Sequence, residues 1–422
     1  MSDMTCLAEG LVVPADFELT GLNLNEIVVG PTGCGKSWSN AYSRLVHTME
    51  SSVVVPIAKG AIKEKFGQMF IDRGYKVIDL DFTNPENCET GYDPLDFVRT
   101  DEDIVSLAKN FVVTERHKTG IADPYWDETA TSALAAEIGY VISYAKAKRM
   151  RACFAEVISL HRSLKCNTDG ELVETNLDSL FEKEELFHPG NQATQLWKTV
   201  KNLPAKTAAC VFSSLSNSLD KIFTKGIIDM TKKVKRVSFR ELGSKKVALF
   251  ITTSPMNKTH QNYVNILYAD MFRELFEKAE RSRDFRLKVP VHIICDDFAC
   301  GSRIKGFEEY ISIFRSAGIS VTLLLQSETQ LVSMYGQYEA TTIINNCDTY
   351  VYMGGMDIAT CQHISQRMNK PLHEVMAMPR ERVVVFRRGD RPYVARRYQI
   401  LDDPLYQQLP DIGKKKNQSR PA

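Results

Sequence analysis

Gly30-Pro31-Thr32-Gly33-Cys34-Gly35-Lys36-Ser37 has the spacing G-x-x-x-x-G-K-S, and the apolar run Ile27-Val28-Val29 leads straight into it. A short buried strand, a glycine-rich loop and a helix start make up a phosphate-cradling loop. Glycines let the backbone wrap close to an anion, including at positive φ. The loop N–H groups and the following helix N-terminus direct partial positive charge at it. On this reading Gly30, Pro31, Thr32, Gly33, Cys34, Gly35, Lys36, Ser37 and Trp38 surround a nucleotide. Lys36 reaches the β- and γ-phosphates of ATP and Ser37 holds Mg²⁺.

Working outward, strand and helix signals alternate through the first hundred residues. Strands are expected at Ile27–Val29, Ser52–Pro56 and Lys76–Leu80, with a helix at Ala61–Arg73 between the last two. That βαβαβ rhythm predicts an α/β fold with a mostly parallel sheet. From about Asp101 the signals turn helical, starting at Asp123-Pro124, an N-cap acid with proline at the first helical position. Strands resume at Val247–Thr252, Val291–Cys295, Val321–Leu325 and Thr349–Met353, and Arg382–Arg387 with Tyr393–Gln399 flank a Gly-Asp turn that predicts a β-hairpin. The expected division is a nucleotide-binding part over 1–100, an all-α insertion over 101–225, the second nucleotide-binding part over 226–412, and a disordered basic tail over 413–422.

A phosphate loop needs an acid at the end of a neighbouring strand. Val291–Cys295 ends in Asp296 and Asp297, the first placed to complete the Mg²⁺ shell and the second to orient or deprotonate the attacking water. The alternative is that the pair only caps the next loop or helix. Gln326 ends the strand Val321–Leu325, where a polar amide can sense the γ-phosphate; a plain strand-end hydrogen bond is the other reading. Arg315 lies on a helical segment and is either a solvated charge or an arginine finger given to a neighbouring subunit.

Bulk properties exclude several classes. The 422 residues carry a formal net charge of +1, so any DNA-binding surface must be local. Ten cysteines are scattered without a C-x-x-C pair, which fits a reducing compartment and small apolar packing roles. The longest apolar runs are strand-sized, far short of the roughly 20 residues a bilayer crossing needs. Basic residues concentrate at Lys232, Lys233, Lys235 and Arg236 and again in the hairpin at Arg387 and Arg388. Both clusters are candidate sequence-independent DNA contacts, or simply solvated, charge-mixed faces.

Together these residues resemble the cytoplasmic ATPase part of the type IV coupling proteins of conjugation and type IV secretion. The resemblance rests on Gly30–Ser37, Ser52-Val53-Val54-Val55 before Lys59-Gly60, Tyr92-Asp93-Pro94-Leu95-Asp96, Asp123-Pro124-Tyr125-Trp126, Asp296-Asp297-Phe298-Ala299, Gln326-Ser327 and Asn345-Asn346-Cys347, in that order over about residues 25 to 400. It implies a RecA-like domain split by an all-α domain that receives relaxase–DNA or protein cargo. It also implies ATP and Mg²⁺ as cofactors, a homo-hexamer, secretion-channel partners and a place at the cytoplasmic face of a membrane. By position it makes Lys36, Asp296, Asp297, Gln326 and Arg315 catalytic. Asp297 departs from the usual Glu, and Ile57-Ala58 replaces the usual Asp-Pro. The family's N-terminal transmembrane helices are not seen ahead of the first strand: the anchor was removed, is a separate polypeptide, or is absent from a soluble relative. A soluble DNA translocase, or a docking receptor with little ATP turnover, are the competing functions.

Overall fold

The computed structural model describes residues 2–57, 61–112, 124–164, 176–254, 256–257, 259–296, 298 and 303–409. Eleven strands are found among them: β1 (Met4–Ala8), β2 (Leu11–Pro14), β3 (Glu26–Val29), β4 (Ser52–Ile57), β5 (Lys76–Asp81), β6 (Val247–Thr252), β7 (Val291–Cys295), β8 (Ile319–Leu325), β9 (Thr349–Tyr352), β10 (Arg382–Arg387) and β11 (Tyr393–Arg396). The chain divides into two compact units. One holds residues 1–83, 238–256 and 271–422, and the other 84–237 and 257–270.

The first unit is built on a nine-stranded sheet in the order β11-β10-β9-β3-β8-β7-β4-β6-β5. All pairings from β9 through β3 to β5 are parallel, and β10 is antiparallel to both β9 and β11. Strands β3, β7, β8 and β9 are buried along their whole length, which is why they read as continuous apolar runs rather than alternating ones. The strands expected from the sequence are present, and the hairpin at the sheet edge pairs Arg382 with Arg396. The small sheet β1–β2 was not expected. Its turn is marked only by Glu9-Gly10, with Gly10 at φ 75°.

The acid's strand is not the immediate neighbour of the loop's strand: β8 lies between β3 and β7. Six buried polar groups tie this part of the sheet together. Asn40 Nδ2 and Thr322 Oγ1 donate to the two oxygens of Glu26, both at 3.3 Å. His292 pairs through Nε2 with Thr322 at 2.9 Å and through Nδ1 with Ser320 at 2.6 Å, and Arg44 Nη2 lies 3.3 Å from the same Nδ1. Burial, reinforced by Arg44, holds the His292 imidazole well below its usual pKa, so it is neutral.

The second unit is helical, with helices at Asp101–Val112, Pro124–Ala147, Phe154–His161, Asn176–Phe187, Gln192–Lys201, Ala205–Ile222 and Lys225–Thr231. Phe154 and Phe223 stack at 4.5 Å between centroids beside Phe111, and Phe181 stacks on Trp197 at 4.7 Å. The expected insertion over 101–225 falls inside this unit but is short at both ends and omits 257–270. Residues 84–100 belong here because Gly91 bridges to Arg236 and its N–H donates to Lys235 O at 2.8 Å. Residues 257–270 belong because Tyr263 donates to Tyr92 O at 2.9 Å and Tyr92 to Asp270 Oδ2 at 2.6 Å. The expected tail over 413–422 lies outside the described residues.

Candidate nucleotide site

The loop leaves β3 at Val29, held on both sides. Gly30 N–H donates to Leu325 O of β8 at 3.1 Å, and Met353 N–H donates to Val29 O at 2.8 Å from the end of β9. A turn closes through Cys34 N–H to Pro31 O at 3.3 Å, with Gly33 at φ 81° and Gly35 at φ 92°. These two positions need glycine because a Cβ strains a left-handed backbone. Ser39 N–H donates to Gly35 O at 2.8 Å, and the helix opens with a wide π-helical turn over Ser37–Tyr42, a form often found at functional sites. Among the described residues, the backbone N–H groups of Thr32, Gly33 and Gly35 have no hydrogen-bond partner. They form a set of donors that suits an anion.

The residues expected to carry chemistry converge at this loop. Ser37 Oγ lies 2.9 and 2.8 Å from the two oxygens of Asp296, so one hydroxyl spans both. An alcohol from the helix start and a carboxylate from the end of β7 form the oxygen donor pair that Mg²⁺ takes beside a phosphate. Lys36 is 6% exposed and its ammonium donates to Gly30 O at 2.6 Å and Pro31 O at 3.1 Å. Three mobile donors on a four-carbon stem allow the same group to swing from loop carbonyls to phosphate oxygens. Gln326 follows β8 directly, and Gln330 Oε1 accepts from its backbone N–H at 3.2 Å. Trp38 is 45% exposed and sits 5.5 Å from the Tyr42 ring and 6.1 Å from the Tyr406 ring. The Lys65 ammonium lies 4.4 Å from the Trp38 ring centre and donates to the Tyr406 hydroxyl.

Other expected residues lie elsewhere. Asp297 is outside the described residues, as are Asp123, Lys59, Gly60 and Ala299. Arg315 is exposed on the last turn of helix Phe307–Ala317, just before β8 begins. The loop and Gln326 lie at the other end of β8, about 20 Å away at 3.3 Å per residue. Within its own subunit Arg315 is therefore out of reach of the site. In the helical unit, Lys232 is exposed, Lys233 donates to Glu86 O at 2.9 Å, and Lys235 pairs with Glu89.

Arg236 corrects the expectation of a DNA-facing residue. Its side chain is 4% exposed and bonds Asp96 at 2.9 Å and Asp93 at 3.5 Å. Asp93 in turn accepts from the N–H groups of Leu95 and Phe154, both at 2.9 Å, and Asp96 takes a bidentate pair from Arg151. The Tyr92–Asp96 motif and Arg236 are thus one internal clamp. Arg387 pairs with Asp390 at 3.3 Å and the exposed Arg388 with Asp348 at 3.1 Å, both in the sheet unit.

One residue of this site was missed by sequence reasoning. Arg397, inside the expected hairpin strand Tyr393–Gln399, donates through Nη1 to Cys34 O in the middle of the loop. A Cβ on Gly35 would meet that Nη1 at 2.6 Å. Its only sequence signal was a positive charge among other positive charges.

The fold and this loop define a P-loop nucleotide-binding protein of RecA-like architecture. A family model described as "Type IV secretory system Conjugative DNA transfer" matches residues 16–371, and the chain belongs to that family. Among solved structures it is similar to the plasmid coupling protein TrwB in complex with ADP and Mg²⁺. That match has a TM-score of 0.64 and 19% identity, covering 94% of this chain and 89% of that one. The TrwB complex with a non-hydrolysable ATP analogue gives a TM-score of 0.62 and 19% identity over 92% and 87%. VirB4 of Thermoanaerobacter pseudethanolicus gives a TM-score of 0.58 and 12% identity over 96% and 98%. Comparison with curated proteins finds no match. Among the described residues no helix is long and apolar enough to cross a membrane.

Proposed function

We propose that this chain is an ATP-hydrolysing motor subunit that couples DNA, or a relaxase–DNA or protein cargo, to a type IV secretion channel. The observation that carries the hydrolytic part is Ser37 Oγ bonded to both oxygens of Asp296, beside a loop whose Thr32, Gly33 and Gly35 N–H groups have no partner among the described residues. Gly30 through Trp38 wrap the phosphates, and Lys36 leaves its carbonyls for the β- and γ-oxygens. Ser37 and Asp296 hold Mg²⁺, which when bound neutralises phosphate charge. Asp297 serves as the water-orienting base, one methylene shorter than Glu. Gln326 senses the γ-phosphate from the end of β8. Arg315, too far from its own loop, acts on the site of the adjacent subunit in a hexamer. The helical unit receives cargo, and Lys232, Lys233, Lys235, Arg387 and Arg388 are the remaining candidates for phosphate contacts with DNA. The assembly works at the cytoplasmic face of a membrane.

The test is ATP turnover by the purified chain, with and without single- and double-stranded DNA, beside Lys36→Ala. Mg²⁺-dependent turnover stimulated by DNA and abolished in Lys36→Ala is expected. Turnover no higher than that of Lys36→Ala under every DNA condition removes the motor and leaves a docking receptor. Mixing Arg315→Ala with Lys36→Ala subunits restores part of the activity if the arginine acts in trans.

A further inference from the structure

We infer that Arg397 is a positioning residue for the phosphate loop, acting through the Cys34–Gly35 peptide; this rests on nucleotide binding at that loop. Arg397 lies beyond residues 16–371, so the family match assigns it nothing. It belongs to a C-terminal segment that returns to the loop after β11. Its guanidinium, an always-charged donor, bonds Cys34 O from a residue 363 positions away in the chain. A trans peptide is planar and sets its C=O and N–H on opposite sides. Holding the Cys34 carbonyl on the Arg397 side therefore turns the Gly35 N–H to the other side. That N–H is one of the donors without a partner among the described residues. The charge on the carbonyl also polarises the same peptide and strengthens its N–H as a donor.

The segment is itself held in place, so the contact is a built one. Arg397 N–H donates to Glu381 O at 2.7 Å. Asp403 accepts from the Tyr398 hydroxyl at 2.6 Å and lies 2.7 Å from His47 Nε2, at the end of the helix that follows the loop. The other oxygen of Asp403 caps the helix Pro404–Gln407 through Leu405 N–H at 2.8 Å. Gly35 has no side chain where the Arg397 guanidinium passes, so loop and arginine are fitted to each other.

The experiment is calorimetric titration of the full chain with MgADP, for wild type, Arg397→Gln, Arg397→Lys and Arg396→Gln. Loop positioning predicts that Arg397→Gln weakens binding about tenfold, the size of one charge-assisted hydrogen bond. Arg397→Lys recovers most of this, to within about threefold of wild type, because it keeps the charge but loses the planar fork. Arg396→Gln, its exposed neighbour, binds as wild type does. Wild-type affinity in Arg397→Gln overturns the inference, whatever happens to its melting temperature. If Arg397→Gln does not fold, Arg397→Lys decides: weaker MgADP binding supports loop positioning, and wild-type affinity with a lowered melting temperature overturns it. Failure of the wild type itself to bind MgADP would instead overturn the proposed function, and this inference with it.

Discussion

Replacing Arg236 with Met tests whether the basic run at 232–236 is an internal clamp or a DNA surface. The guanidinium sits against two carboxylates, Asp93 and Asp96, with 4% of its side chain exposed. Removing one partner of a buried ion pair costs about 3–5 kcal/mol, because the other charge stays buried. Asp96 keeps Arg151 at 2.6 Å, so the exposed end of the clamp survives and the loss falls on Asp93. Burial already pushes the Asp93 carboxyl up to about 6, against the pull of Arg236 and its backbone hydrogen bonds. Its folded pKa is thus raised above the ordinary value, and the stability tied to its protonation is lost as pH rises towards 6. In Arg236→Met the carboxyl rises further, so the variant goes on losing stability above pH 6 while the wild type does not. One pKa unit is worth about 1.4 kcal/mol, so the gap between the two widens by up to about 2 kcal/mol from pH 6 to 7.5. Urea unfolding in a Trp38→Phe background reads this out, because Trp126 and Trp197 both lie in the helical unit. A destabilisation below about 1 kcal/mol at pH 7.5, or one that does not change with pH, refutes the clamp.

The remaining predictions concern the sheet unit. Gly35→Ala places a methyl 2.6 Å from Arg397 Nη1 at φ 92°, so it should lower MgADP affinity at least about tenfold and destabilise by about 1–3 kcal/mol; unchanged affinity by titration would contradict the loop geometry. Ser37→Ala removes both hydrogen bonds to Asp296, and the ratio of ADP affinities with and without Mg²⁺ should fall about tenfold, an equal ratio speaking against a shared metal site. His292, facing Arg44, Ser320, Thr322 and, through Thr322, Glu26, has its pKa held well below the usual 6.5. Its stability contribution is present above pH 6.5 and is lost as pH falls, because the unfolded imidazole takes up a proton and the folded one does not. From pH 7.5 to 5.5 the wild type should therefore lose about 1.4 kcal/mol more than His292→Asn, and parallel urea-denaturation profiles would exclude a neutral buried histidine.

The elements that hold the site were legible because each carries its chemistry at the end of an apolar run. Val291–Cys295 delivers Asp296, and Val321–Leu325 delivers Gln326, just as Ile27–Val29 delivers the loop. The apolar positions say only that a strand is buried on both faces, and leave open which strand lies beside it. That is why the insertion of β8 between β3 and β7 was not foreseen. The limits of the helical unit were hidden for a related reason. They are decided by Tyr263 bonding Tyr92 and by Gly91 bonding Lys235, contacts between segments more than a hundred residues apart. Two basic residues were misread in the same direction. Arg236 and Arg397 looked like surface charge, and both are spent on partners inside the protein, one on carboxylates and one on a backbone carbonyl. Charge in a sequence announces a strong donor; whether it faces solvent depends on what the fold brings to it.

The strand order has a mechanical consequence for the site. Two strand spacings of about 4.8 Å separate the ends of β3 and β7, leaving a gap that a metal ion and its oxygen ligands can fill. Ser37 and Asp296 close this gap from opposite sides, while β8 runs beneath it and ends in Gln326. The first residue of the loop is hydrogen-bonded to Leu325 O, the carbonyl immediately before Gln326, and the middle of the loop to Arg397. A displacement of the loop at Gly30 therefore pulls on the residue that carries Gln326, and a displacement at Cys34 pulls on the C-terminal segment. Lys36 is bonded to Gly30 O and Pro31 O, so the ammonium that would meet a phosphate is held at the same residue that anchors the loop to β8. The phosphate loop and Gln326 are in this way joined through the hydrogen bond from Gly30 N–H to Leu325 O.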